Sequence, residues 1–330
     1  MSVSAPPKHH LQPSFARHET FHPRYGWLKK GFDAAAEDGS VFHRKDATTR
    51  LGVGKNMVRA IRYWCLAYKI LDEQPNEENS RIQDVVPSGF GEQLLAEDGW
   101  DPYLEDPGSL WLLHWQLLRS PCRAPAWWAI FNSPYSPEFN DEALLDELRR
   151  FRDEQGWTDV VDNSLDKDVR CLLRMYGSVT RGRDLIEDSV DSPFAELGLI
   201  RPVAGDARAW SVNNGPKREL PDEIVAYACL DYAHAVETGS KVLGVAGLAR
   251  NEGSPGRAFA LTETALGDAL ARFSEKHDGF IELTHAAGNR QLVLPDILVL
   301  PERFDNVRDE VGESILNAYY GRRLGKGSRR

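Results

Sequence analysis

The sequence predicts a mainly α chain with small β-hairpins (α+β), on three observations. Residues 44–71, RKDATTRLGVGKNMVRAIRYWCLAYKIL, read as two short helices joined by a glycine turn. Residues 109–118, SLWLLHWQLL, form an apolar run at helical spacing. Residues 280–294 hold two short runs, FIELTH and RQLVL, around the turn AAGN, which is a hairpin pattern. The expected organisation is a helix-turn-helix or winged-helix DNA-binding module over 1–98, a tryptophan-rich helical domain over 99–205, a winged-helix-like helix-plus-hairpin module over 206–320, and a basic flexible tail over 321–330.

The elements follow in order. The start, MSVSAPPKHHLQPS, lacks the apolar core of a signal peptide and reads as a flexible lead. His18 to His22, HETFH, matches the zinc-protease pattern H-E-x-x-H, but Pro23 follows the second histidine and Pro13 shortens the segment, so no long helix presents both rings and no zinc is expected. Residues 26–36 supply a first helix. Asp46 is placed to cap the next, which runs through Arg50, and Gly52 permits the turn that starts a further helix near Lys55. In that helix Val53, Met57, Ile61, Trp64 and Tyr68 are expected to face a core, with Asn56, Arg59, Arg62 and Tyr63 opposite. Gly52 to Lys55 resembles the end of a P-loop, yet Thr49 stands where the first glycine belongs and Asn56 where a Ser or Thr must ligate Mg2+, so no nucleotide is expected. The polar stretch DEQPNEENSR (72–81) is a linker or a wing tip, and 87–98 a following helix.

Between Trp100 and Trp128 lie five of the nine tryptophans, which marks a buried segment. Leu110, Leu113, Leu117 and Leu118 form its helical stripe, and His114 within it reads as a hydrogen-bonded core histidine. Residues 141–154 are a charge-rich exposed helix. Residues 161–177, VDNSLDKDVRCLLRMYG, form an amphipathic helix, with Val169, Leu172, Leu173 and Tyr176 on one face and Lys167, Arg170 and Arg174 on a second. Further on, 222–237 is a helix, 257–261 (RAFAL) a short extended run, and 263–273 a helix capped by Thr262. That last helix carries Glu263 and Asp268 against a single Arg272, a poor charge balance for entering a DNA groove.

With 42% hydrophobic and 27% charged residues, the composition is that of an ordinary soluble globular protein, and no apolar run reaches the length of a membrane span. The four cysteines are widely spaced and form no CxxC pair, which suggests neither a disulfide framework nor a thiolate zinc site and points to the cytoplasm. A net charge of −10 argues against indiscriminate coating of nucleic acid. Residues 41–70 run the other way, with seven Lys or Arg against one Asp, a local balance of +6. The tail GRRLGKGSRR adds five positive charges, as a solubilising end or a phosphate-grasping arm. The candidate contacts to double-stranded DNA are therefore Arg44, Lys45, Arg50, Lys55, Asn56, Arg59, Arg62 and Tyr63, cations for phosphates and polar groups for hydrogen bonds. A solvated basic face or a protein-docking helix is the plainer alternative.

Asp162, Asp166 and Asp168 crowd the start of a helix, where the dipole and capping favour acids. The functional alternative is a Mg2+ site formed by Asp162, Asp166 and Asp168. Asp166, Asp168, Arg170 and Arg174 then make the candidate catalytic set for metal-assisted phosphodiester hydrolysis, the arginines clamping a phosphate and Glu187, Asp188 and Asp191 completing the site.

Taken together, FHPRYGWLKKGF (21–32), LGVGKNMVRAIRYW (51–64), LWLLHW (110–115), LLRMYG (172–177), DSPFAELGLI (191–200) and AGNRQL (287–292) resemble the SspB family, the B subunits of bacterial Ssp-type DNA phosphorothioation systems. The resemblance covers nearly the whole chain. It implies a part in exchanging a non-bridging phosphate oxygen of DNA for sulfur, in phage defence, with the B subunit nicking one strand. It also implies partners: a cysteine desulfurase, an ATPase and an ATP-pyrophosphatase-like sulfur carrier. It assigns no catalytic residues. A non-catalytic DNA-docking subunit or a transcriptional regulator is the alternative function.

Overall fold

Trp27–Glu37 (α1), Ala47–Leu51 (α2) and Lys55–Ala67 (α3) are the first helices of the computed structural model. It describes residues 10–77, 79–133, 138–177, 192–206, 208–235, 241–277, 280–286, 288–294 and 304–327, with side chains in the last segment only for 310–321. The expected glycine turn is present. Gly52 adopts a left-handed conformation (φ 62°) that a Cβ would strain, and Lys30 Nζ donates to Leu51 O, meeting one of the carbonyls the helix end leaves open. Ala47, Leu51 and Val58 form the small core between α2 and α3, with Ala34, Phe42 and Val53 packed against it. Helix α1 crosses α3 closely at Gly31, where a Cβ would lie 2.4 Å from Cys65 Sγ.

Strands Leu71–Pro75 (β1) and Gln83–Pro87 (β2) then pair antiparallel, from Leu71 opposite Pro87 to Pro75 opposite Gln83. The polar stretch 72–81 is thus one strand and part of the tip of a hairpin. Gly89–Leu95 (α4) follows, capped by Ser88.

The tryptophan-rich segment folds into Pro107–Leu118 (α5) and Pro125–Asn132 (α6), and every residue of α6 is buried. His114 is a core histidine, its Nδ1 2.7 Å from the Tyr176 hydroxyl. Asp141–Glu154 (α7) is amphipathic with Leu144, Leu148 and Phe151 inward, and Asp162–Tyr176 (α8) buries Val169, Leu172, Leu173 and Tyr176 as its spacing requires. The short pair Ile200–Pro202 (β3) and Trp210–Val212 (β4) closes this part of the chain. Leu11–Asn213 forms one compact unit. It spans both the segment 11–98 and the tryptophan-rich segment, because α3 is covered on a second side. Trp64 meets Trp127 of α6 edge to face at 5.3 Å, and Lys69 Nζ donates to Gln116 O of α5.

The second unit, built on Asn214–Arg330, runs Asp222–Ala235 (α9), Val242–Gly244 (β5), Val245–Arg250 (α10), Pro255–Ala258 (α11), Glu263–Lys276 (α12), Glu282–Ala286 (β6), Asn289–Val293 (β7) and Phe304–Gly327 (α13). Its sheet has the order β5-β7-β6, antiparallel throughout. Thr262 Oγ1 accepts from Ala265 N, so α12 is capped as its sequence implies. The run RAFAL is not extended: Ser254 caps a helical turn at Pro255, and 257–258 lie inside it. The strand that enters the sheet is β5, too short for an alternation to register. The tail is also corrected. Buried Ile315, Leu316, Tyr319 and Tyr320 anchor α13, which continues as helix through Gly327; residues 328–330 lie outside the described residues. No helix among the described residues is long and apolar enough to cross a membrane.

Candidate nucleic-acid interface

Helix α3 begins at Gly54, which has no side chain to cap it, so the first-turn N–H groups point outward from the positive end of the helix dipole. Lys55, Asn56 and Arg59 are exposed there, and Lys45 is exposed just before α2. Neither Lys45 nor Lys55 makes an ion pair among the described residues. An uncapped helix start with free cations around it is a ready site for a phosphate.

The arginines of the segment are compensated, by Asp46 within it and by acids brought in from outside it. Arg44 and Arg50 both hold Asp46 (3.0 and 3.1 Å) and both reach Asp38 Oδ2 (3.3 and 3.4 Å), a network of two cations and two anions. Hydrogen bonds from Arg44 and then Arg50 hold the Asp46 carboxyl below its usual range. They also occupy both its oxygens, so Asp46 stands at the start of α2 without making the expected cap hydrogen bond. Arg59 Nη1 lies 3.2 Å from Glu19 Oε1 while staying about half exposed. Arg62 is half-buried, donating to Glu73 at 2.8 Å and to Gln83 O, and Arg123 takes the other Glu73 oxygen at 2.7 Å. It therefore braces the hairpin rather than facing outward. The sequence balance of +6 overstates the field at this surface.

Tyr63 is a correction. It is buried, donates its hydroxyl to Arg123 O and packs its ring against Trp64 at 4.9 Å. Helix α3 has a wider buried arc than its stripe implies because α6 covers a second side, and Val58 and Ala60 are inward while Met57 is only half-buried.

The three candidate metal carboxylates do not converge. Asp162 spends one oxygen on Arg152 (2.7 Å) and the other on Arg149 (2.9 Å), and those bonds, Arg152 first, pull its carboxyl below the usual range. Asp166 pairs along the helix with Arg170 at 3.1 Å. Asp168 points the other way. It is buried, accepts from Ala16 N at 2.7 Å and lies 2.8 Å from His18 Nε2. Arg174 is turned to Thr20 O at 2.6 Å. A Mg2+ ion needs several free oxygens in an octahedron, and this donor set does not supply them. Among the described residues no group of three His, Cys, Asp or Glu side chains is gathered for a metal. Glu187, Asp188 and Asp191 lie outside the described residues.

The residue that sequence reasoning dismissed as a zinc ligand is the structural centre of this region. HETFH is not helical: Ala16, Glu19 and Thr20 are left-handed (φ 55°, 50° and 70°). The turn drives His18 into a fully buried cage of Tyr63, Trp64 and Trp127. Burial alone would keep the ring neutral; the Cys171 sulfur and the Asp168 carboxylate overcome it and push its pKa up to about 10. No sequence pattern announces this pair, whose members are 150 residues apart.

The chain is similar to known proteins over most of its length. A family model described as "Protein of unknown function (DUF4007)" matches residues 15–303. A solved structure described as "SspB crystal structure" is similar over 95% of this chain and 89% of its own, at 37% identity and a TM-score of 0.85. A second, "Magnesium ion-bound SspB crystal structure", is similar over 96% and 98%, at 37% identity and a TM-score of 0.82. A comparison with curated proteins finds no match.

Proposed function

The chain belongs to the SspB family, and from that premise we propose that it is the subunit through which an Ssp DNA phosphorothioation system holds double-stranded DNA. The observation that carries the reading is the exposed start of α3, where Lys45, Lys55, Asn56 and Arg59 surround uncapped backbone N–H groups. Three helices followed by a hairpin are the parts of a winged helix, in which α3 would enter the groove and β1–β2 lie beside it. The second unit repeats the theme with α9 to β7. Its α12 ties Arg272 to Asp222 and Asp268 to Arg290, and it suits a role toward the other proteins of the system, a cysteine desulfurase, an ATPase and a sulfur carrier.

Strand nicking is the second reading, favoured by the magnesium-bound relative. It needs a metal-activated water and cations at the phosphate, and the carboxylates of α8 are committed elsewhere. Docking is therefore the stronger reading for the residues described. Incubating supercoiled plasmid with the protein and Mg2+ separates the two. Intact supercoiled DNA at saturating protein is the expected result, whereas relaxation abolished by Asp166→Ala would replace docking with cleavage at α8. Docking itself is tested by titrating a labelled duplex, for which Lys55→Gln is expected to weaken binding and an unchanged affinity would contradict it.

A further inference from the structure

Glu19 and Thr20 are neighbours in the chain, and each holds an arginine of a different helix. Arg59 of α3 reaches Glu19, and Arg174 of α8 donates to Thr20 O. The same turn is fastened to α8 from within, because Ala16 N and the His18 ring both meet Asp168. A turn with three left-handed non-glycine residues is costly and persists only where its surroundings fix it. Its effect is to bring the cationic face of α8 beside the exposed face of α3.

Arg170 is exposed on that face of α8, and its backbone carbonyl accepts from Arg174 Nε at 3.3 Å. Arg17, in the turn itself, is exposed and makes no ion pair among the described residues. Arg59 and Arg174 thus meet the same turn, with Lys55 one helical turn from Arg59 on α3, Arg170 one helical turn from Arg174 on α8, and Arg17 in the turn itself. The acids paired to them are Glu19 and Asp166, each in a solvent-accessible pair of the kind that contributes little and yields to a stronger anion.

We propose that the DNA-contacting surface continues from α3 across the 16–20 turn onto α8, forming one phosphate track along a DNA duplex, with Glu19 and Asp166 as built-in competitors for its arginines. The inference rests on the DNA-contact reading above. It gives the basic face of α8 a role in holding the backbone rather than in cutting it. It also assigns the strained turn the task of setting the spacing between the two halves of the track.

Salt titrations of duplex affinity test it. Arg17→Gln with Arg170→Gln is expected to lower the slope of log affinity against log salt by about 2, and Lys55→Gln by about 1, since each lost phosphate contact releases roughly one counterion fewer. Glu19→Gln with Asp166→Asn is expected to tighten binding roughly fivefold, a gain that misfolding cannot imitate. If Lys55→Gln lowers the slope while the Arg17 and Arg170 pair leaves it unchanged, the track is overturned and the DNA-contact reading stands. If no variant alters the slope, the DNA-contact reading falls and the track with it. A single strand of equal length bound more tightly than the duplex would overturn the choice of partner.

Discussion

Replacing Asp168 with Ala is expected to lower the unfolding free energy by about 3–5 kcal/mol, because it strands a charged His18 inside an aromatic cage. The substitution also leaves Ala16 N without its acceptor in a turn that is already strained. The pair makes stability depend on pH with a definite sign. His18 holds its proton up to about 10 in the folded chain against an ordinary 6.5, so its contribution is complete below pH 6.5 and is lost as pH rises toward 10. Burial pushes Asp168 upward too, against the bonds from His18 and Ala16, and an acid raised in the folded state likewise gives up stability as pH rises. Denaturant melts at pH 6.5 and 9.5 check the histidine's contribution. The wild type should lose stability between them and His18→Asn should show a flatter profile; equal midpoints for the wild type at the two pH values would contradict the charged pair.

The combined substitution Lys45→Gln, Lys55→Gln and Arg59→Gln is expected to cut duplex affinity on the order of a hundredfold at 0.1 M salt and to lower the salt slope by about 3. Fold stability should stay within roughly 0.5 kcal/mol, because Lys45 and Lys55 reach into solvent and the Arg59–Glu19 pair is solvent-accessible. Arg62→Gln gives the opposite balance. It removes the bonds to Glu73 and Gln83 that brace the hairpin, so it should reduce thermal stability while leaving the salt slope nearly unchanged. A large slope change in Arg62→Gln would mean that this half-buried guanidinium leaves Glu73 to meet DNA.

Much of the fold is legible in local patterns. The turn at Gly52 follows from a backbone conformation that favours glycine, the buried α5 from its unbroken apolar run, and the start of α12 from the Thr262 hydroxyl. What local patterns miss lies at long separation. Tyr63 looks exposed on a helical wheel because the wheel knows nothing of Arg123, 60 residues later on the approach to α6. Arg59 looks free because Glu19 is 40 residues away, and Asp168 looks like a metal ligand because His18 is 150 residues away. Periodicity reports which face of an element is apolar; it carries no record of which distant charge arrives to neutralise it. The candidate site is accordingly half legible: Asn56 and Arg59 are exposed on the side of α3 that helical spacing gives them, with Lys45 and Lys55 exposed beside it, whereas Tyr63, Arg62 and the carboxylates of α8 are held by contacts within the fold.

Amine modification of the full chain with and without a saturating DNA duplex, read by mass spectrometry, tests the central claim most directly. It asks which lysines the DNA covers without altering the protein beforehand. DNA contact through the start of α3 predicts that Lys45 and Lys55 become protected while Lys276, which pairs with Glu223 in the second unit, is modified to the same extent in both samples. Equal modification of Lys45 and Lys55 with DNA bound and DNA absent would contradict it.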